Sequence, residues 1–129
     1  MTKQDIIEIV SEIEAGISPN DRSRLFTKET ARNDNKSIGS NQFRDIAMLC
    51  RSAECYEEME MLIRYNMAKC NPGQSWMFNC GKKCFGDMVI DGMAKIKAAD
   101  EANVLANLEL YFGYLYWKAR ILAAKSERK

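Results

Sequence analysis

Apolar residues recur every three or four positions along most of this chain, with polar residues between them, the period of helices buried on one face. Ile6, Ile7, Ile9, Val10 and Ile13 make the first stripe, with Thr2 as N-cap, Asp5 three residues on and Gly16 as the stop. Ser18 followed by Pro19 reads as an N-cap with proline at the first helical position, so residues 18 to 26 are predicted to form a short helix. The run TKETARNDNKSIG, residues 27 to 39, has no apolar period and reads as an exposed basic loop.

Ser40 is the predicted N-cap of the next helix, with Phe43, Ile46, Ala47, Cys50 and Ala53 on its buried side. Met59, Leu62, Ile63, Met67 and Cys70 predict a helix over 55 to 70, closed by Asn71-Pro72-Gly73. Residues 75 to 97 place Trp76, Phe78, Phe85, Met88, Val89, Met93 and Ile96 at mostly helical spacing. Gly81, Gly86 and Gly92 each cost a helix about 1 kcal/mol against alanine, so a break is allowed for near 80 to 86. The strongest pattern runs from Asp100 as N-cap to about Lys125, with Val104, Leu105, Leu108, Phe112, Leu115, Ala119 and Leu122 in one stripe. No segment alternates with a period of two. The expectation is an all-α, compact bundle of about five helices in a single domain spanning 1 to 129.

The last helix also carries Tyr111, Tyr114, Tyr116 and Trp117, more aromatic surface than one stripe holds. Either this helix is central and wrapped by its own bundle, or the surplus meets another protein.

Composition narrows the chemistry. The chain has 129 residues, and it lacks histidine altogether. That removes the usual general base, the histidine-activated nucleophiles and every imidazole zinc site. Five cysteines, an odd number, and an N-terminus without a signal-peptide pattern point to reduced thiols, a cytoplasmic location and no membrane segment. Cys80 and Cys84 flank Gly81, Lys82 and Lys83, and nearby lysines can lower a thiol pKa. Yet Cys70, Cys80 and Cys84 fit no usual zinc spacing, and Cys50 and Cys70 fall on apolar stripes where cysteine behaves as a small hydrophobe. No glycine-rich phosphate loop is present, and Glu54, Glu57, Glu58 and Glu60 read as a solvated face. We expect no catalytic residue, no metal and no cofactor.

A net charge of +1 hides segregation by sign. Residues 1 to 21 hold one base and five acids; 22 to 51 hold seven bases and three acids; 62 to 84 hold four bases and no acid. Such alternation suits a basic face for a polyanion, and equally suits ion pairing within or between subunits. Arg64 has Glu60 at i−4, Lys83 has Asp87 at i+4, and Arg51 has Glu54 at i+3 should that helix continue. Arg44, Lys69, Lys118 and Arg120 have no acid at i±3 or i±4. Arg44 and Arg51, seven residues apart, would lie on nearly the same side of one helix about 10 Å from each other, placed for phosphates of one strand.

Ser40-Asn41-Gln42-Phe43-Arg44 resembles the Ser/Thr-x-x-Gln-Leu-Arg helix start of the small helical subunit of type III-A CRISPR interference (Csm) complexes. Met61 to Lys69 resembles that family's second helix, with its leucine-rich stretch, tyrosine and closing base. Leu108 to Ala119 resembles its aromatic terminal helix, Tyr116-Trp117-Lys118 standing close to the family's Tyr-x-Lys ending. The likeness spans residues 38 to 122, within which the cysteines and the Asn71 to Gly86 stretch match no pattern of the family. It implies a non-catalytic subunit that stacks in several copies with other complex subunits, beside guide RNA and target RNA, and touches their backbone without reading sequence. Arg44 matches the motif arginine. Arg51, Lys69, Lys118 and Arg120 are further candidate phosphate contacts, and Gln42 a candidate hydrogen-bonding one. The competing expectation is a helical adaptor or oligomeric regulator without nucleic acid.

Overall fold

The computed structural model describes residues 1–27 and 37–127, and side chains as far as residue 124. Among these, six α-helices and two short strands follow one another: α1 (Lys3–Ala15), α2 (Pro19–Leu25), β1 (Phe26–Thr27), β2 (Ile38–Gly39), α3 (Asn41–Leu49), α4 (Tyr56–Ala68), α5 (Phe85–Ala99) and α6 (Val104–Glu127). The fold is all-α in essence, with six helices where about five were expected. The short helix predicted over 18 to 26 is one of the six, and Pro19 opens it as anticipated.

Local chemistry accounts for the ends of α1. The Thr2 hydroxyl accepts from the Asp5 amide at 3.1 Å and the Asp5 carboxylate accepts from the Thr2 amide at 2.8 Å, a reciprocal capping box. Those bonds hold the Asp5 carboxyl below its ordinary range. Ser40 and Asp100 behave differently from the N-caps predicted for them. Ser40 is fully buried in helical conformation, with its amide donating to Thr27 O at 2.9 Å, and it makes no cap bond from its side chain. Asp100 precedes a 3₁₀ turn (Glu101–Asn103), and its carboxylate accepts from the Asn103 and Asn107 side chains at 3.1 and 3.3 Å.

The loop expected over 27 to 39 lies, for residues 28–36, outside the described residues. Its ends correct the reading: Phe26 and Thr27 pair in parallel with Ile38 and Gly39, and Ile38 is completely buried. A single isoleucine in a polar run has no period to betray it.

Within the stretch 75 to 97, helix does not run through. A 3₁₀ turn (Ser75–Met77) is followed by a tight reversal in which Cys80 N–H donates to Lys83 O at 3.0 Å and Asn79 bridges Cys84. Gly81 occupies φ +98°, a left-handed conformation that side chains rarely adopt, which is why the break falls there. Gly86 and Gly92, inside α5, serve close approach instead: a β-carbon at Gly86 would meet Met67 of α4, and one at Gly92 would meet the Tyr111 ring of α6.

Helix α6 packs against α1, α2, α3, α5 and β1, so it is the central element. Tyr111, Phe112 and Leu108 are fully buried, and the Tyr111 hydroxyl donates to Val89 O at 2.9 Å. Beside them Phe26, Phe43, Trp76 and Phe85 form an aromatic cluster with centroids 5.4–6.1 Å apart, mostly edge to face. The central position absorbs most of the surplus aromatics, yet Trp117 stays 62% exposed and Ile121 52%.

The sign segregation finds a structural use in ties between helices. Glu12 of α1 meets Lys95 of α5 at 2.7 Å, Glu14 of α1 meets Lys118 of α6 at 2.9 Å, and Glu57 of α4 meets Lys97 of α5 at 2.9 Å. Exposed pairs of this kind contribute at most about 1 kcal/mol each, so they orient helices more than they hold the fold.

Candidate nucleic-acid interface

Helices α3 and α6 run antiparallel along one face. Arg44 lies over the Tyr116 ring, 5.9 Å from guanidinium carbon to centroid, while Arg51 reaches Glu109, so rising numbers on one helix meet falling numbers on the other. The four buried residues of α3, Phe43, Ile46, Ala47 and Cys50 with its end, face inward, which leaves Arg44 and Met48 outward. On α6 the residues Glu109 and Tyr116, which meet Arg51 and Arg44, lie two turns apart on one flank.

The six candidate residues take three different situations. Arg44 is about half exposed at its side chain (52%), and its nearest carboxylate, that of Asp45, stands 3.8 Å away. The guanidinium therefore rests on an aromatic face, half exposed and only loosely paired with Asp45. Lys69 is similar: its ammonium lies 4.7 Å from the ring centroid of Tyr65, an exposed residue, and Met61 extends the same outward stripe of α4. Arg51 and Lys118 are tied by distant acids, Arg51 Nε donating to Glu109 Oε2 at 2.7 Å and Lys118 Nζ standing 2.9 Å from Glu14 Oε1. Arg51 also lies beyond the end of α3, in the following turn, so the expected pairing of Arg44 and Arg51 on one helix is replaced by a pairing across the α3–α6 seam. Arg120 is half-buried one turn beyond Tyr116. Testing i±3 and i±4 neighbours detects only partners on the same helix, so the Glu109 and Glu14 contacts escaped it.

Gln42 is held by the core: its Oε1 accepts from the Trp76 indole N–H at 3.1 Å. Trp76 is 1% exposed, so Gln42→Leu leaves a buried donor unpaired and is expected to cost about 1–2 kcal/mol of stability. Urea unfolding of the variant measures this, and its RNA affinity at fixed salt should match that of the parent chain.

Arg64 pairs with Glu60 at 3.3 Å as its spacing implies. Lys83 reaches Asp91 rather than Asp87, because it sits in the reversal before α5 and not on the helix.

Cys50, Cys80 and Cys84 are the opposite of activated. Burial pushes the Cys50 thiol up to about 12 and the Cys80 thiol up to about 11, and it raises Cys84 as well, so Lys82 and Lys83 do not lower them. Among the described residues no three acidic or sulfur ligands converge on a metal position. At pH 8 a thiol at about 12 is ionised in only about one molecule in ten thousand. Iodoacetamide in native buffer is expected to modify exposed Cys55 first and Cys50 only on unfolding; mass spectrometry of tryptic peptides reads the order. An open hollow of about 410 Å³ between Glu54–Glu57, Lys97 and Glu101–Ala106 has its lysine tied to Glu57 and laid over the Tyr56 ring.

No helix among the described residues is long and apolar enough to cross a membrane. Comparisons with known protein families, with characterised proteins and with solved structures find no match.

Proposed function

We propose that this chain is a non-catalytic helical subunit of a type III CRISPR interference (Csm) complex, which stacks in copies with the other subunits and meets the guide and target RNA through backbone contacts. The reading rests on one observation above the rest. Arg44, from the helix-start motif, lies on Tyr116, from the aromatic terminal helix, so two of the three segments that carry the resemblance meet at one point of the surface. A half-exposed guanidinium stacked on an aromatic ring is suited to a phosphate oxygen, and the ring edge to a sugar or base. The Lys69 and Tyr65 pair repeats that chemistry on α4. Neither pair reads base edges, which fits contact without sequence preference.

Electrophoretic mobility of random single-stranded RNA with the full chain, alone and with the proteins that co-purify with it, tests the reading. A complex that weakens steeply with salt is expected. Absence of a shift in both arms would overturn it and leave the second reading, a helical adaptor or oligomeric regulator in the cytoplasm without nucleic acid. The exposed Trp117 and Ile121 favour that second reading.

A further inference from the structure

Trp117 is the largest apolar side chain that α6 shows to solvent, and neither cation–tyrosine pair involves it. A helical side chain leans back over the turn before its own, so an indole at 117 can lie toward Tyr114 or over Gly113. It lies toward Tyr114, with the two rings 5.6 Å apart. The space over Gly113 stays open in consequence, and a β-carbon there would meet nothing within 4 Å. Beside the exposed indole, then, α6 presents one residue of bare backbone.

Helix α3 closes the other side. Arg44 meets Tyr116 and Arg51 meets Glu109, which sets Met48 of α3 level with Phe112 and Gly113 of α6. Met48 is exposed. The result is a shallow trough with Gly113 as its floor, Met48 and Trp117 as its sides, and the Arg44 guanidinium one helical turn along. Glu109, the acid one turn before Gly113, is already held by Arg51 at 2.7 Å. Arg44 is half exposed, and among the described residues its carboxylate neighbour is Asp45, at 3.8 Å. An apolar side chain of a protein partner would fill the trough and leave that cation without a counter-charge. A flat ring with a phosphate on the same strand answers both the apolar sides and the charge.

We infer that this trough takes an unpaired base of an RNA strand, which stacks on the Trp117 indole above Gly113 while Arg44 holds a phosphate of the same strand. The site rests on the RNA reading above and narrows it to single-stranded RNA, because a duplex keeps its base faces stacked on one another. Stacking uses the face of a base and not its edge, so the contact stays indifferent to sequence.

Tryptophan emission of the full chain, titrated with single-stranded oligo(A) and with a blunt RNA duplex of the same length, tests the site. Trp76 is 1% exposed and remains in the core, so quenching by RNA reports Trp117. Saturable quenching by the single strand and none by the duplex is expected. Trp117→Ala should weaken single-strand binding about tenfold, as the loss of one stacked base does, and keep the parent slope of log affinity against log salt because no cation is removed. Trp117→Phe, which retains a ring, should recover most of that loss. Gly113→Leu places a side chain over the bare backbone and should weaken single-strand binding to a similar degree with unchanged helix content. Single-strand binding without quenching, equal quenching by the duplex, or an affinity indifferent to both Trp117→Ala and Gly113→Leu would overturn the site and leave Arg44 as a phosphate contact. Binding of neither RNA would remove the RNA reading itself, and Trp117 would pass to the adaptor reading.

Discussion

Gly92→Ala should lower stability by about 2–3 kcal/mol, although alanine favours a helix interior by about 1 kcal/mol over glycine. The reason is the closeness of α6. Tyr111 is fully buried, and its hydroxyl and the ring carbon bearing it occupy the space an alanine methyl would need, with Ile9 of α1 closing the same space at 3.1 Å. The ring has nowhere to retreat, because Phe112 lies 5.0 Å from it and Leu108 and Leu115 fill the turns on either side. Overpacking of this kind costs about 1–3 kcal/mol, and displacing the phenol also breaks its bond to Val89 O, about 1 kcal/mol more. A fall in Tm of roughly 10 °C is expected for a chain of this size. The double-mutant cycle with Tyr111→Phe separates the causes. Removing the hydroxyl should cost about 1 kcal/mol in the parent chain and little or nothing in the Gly92→Ala background, giving a coupling of about 1 kcal/mol. Additive losses would mean that the hydroxyl is not what the methyl strikes. Gly113→Ala is the contrast on α6 itself. With open space around its β-carbon it should leave the monomer as stable or slightly more so.

The same glycines show how much of the fold was legible in the chain. Gly92 read as a weakness in a helix pattern, because propensity sees only the local backbone; the closeness of Tyr111, nineteen positions further on, is what the residue is for. Where structure is set locally, the reading succeeds. Thr2, Asp5 and Gly16 bound α1 through contacts within four residues, Pro19 opens α2, and the stripe of α6 runs from Val104 through Leu122 as its period implies. Where the determinant lies elsewhere in the chain, it fails. Ile38 is buried by pairing with Phe26, Ser40 is turned inward by the Thr27 carbonyl, and two residues of strand are too few to show a period. The candidate site divides along the same line. Arg44 and Lys69 have no acid at i±3 or i±4 and rest on tyrosine rings, whereas Arg51 and Lys118 find Glu109 and Glu14 on other helices. Gln42, a candidate hydrogen-bonding contact on the strength of its motif, is engaged by Trp76, thirty-four residues away.

That division sets the strongest expectation for RNA. Replacing Arg44 and Lys69 together by alanine should lower affinity for random single-stranded RNA by about tenfold or more and reduce the slope of log affinity against log salt by about 1.4, roughly 0.7 for each cation withdrawn from a phosphate. Both side chains are exposed and neither is tied to another helix by a carboxylate, so folding should change by no more than about 0.5 kcal/mol. Arg44→Lys keeps the charge and surrenders the planar stacking on Tyr116, so it should preserve the slope and lose only part of the affinity. Lys118→Ala supplies the opposite pattern. Its ammonium is engaged by Glu14 and its side chain is only 30% exposed, so its loss should cost about 1 kcal/mol of stability and leave the slope where it was. Titrations at four or more salt concentrations distinguish these outcomes from a general loss of folded protein, which would lower the bound fraction at all salts without altering the slope. Should the Arg44 and Lys69 variant keep the parent slope while Lys118→Ala flattens it, the polyanion would be meeting the α1–α6 side of the molecule, and the two cation–tyrosine pairs would be features of the surface alone.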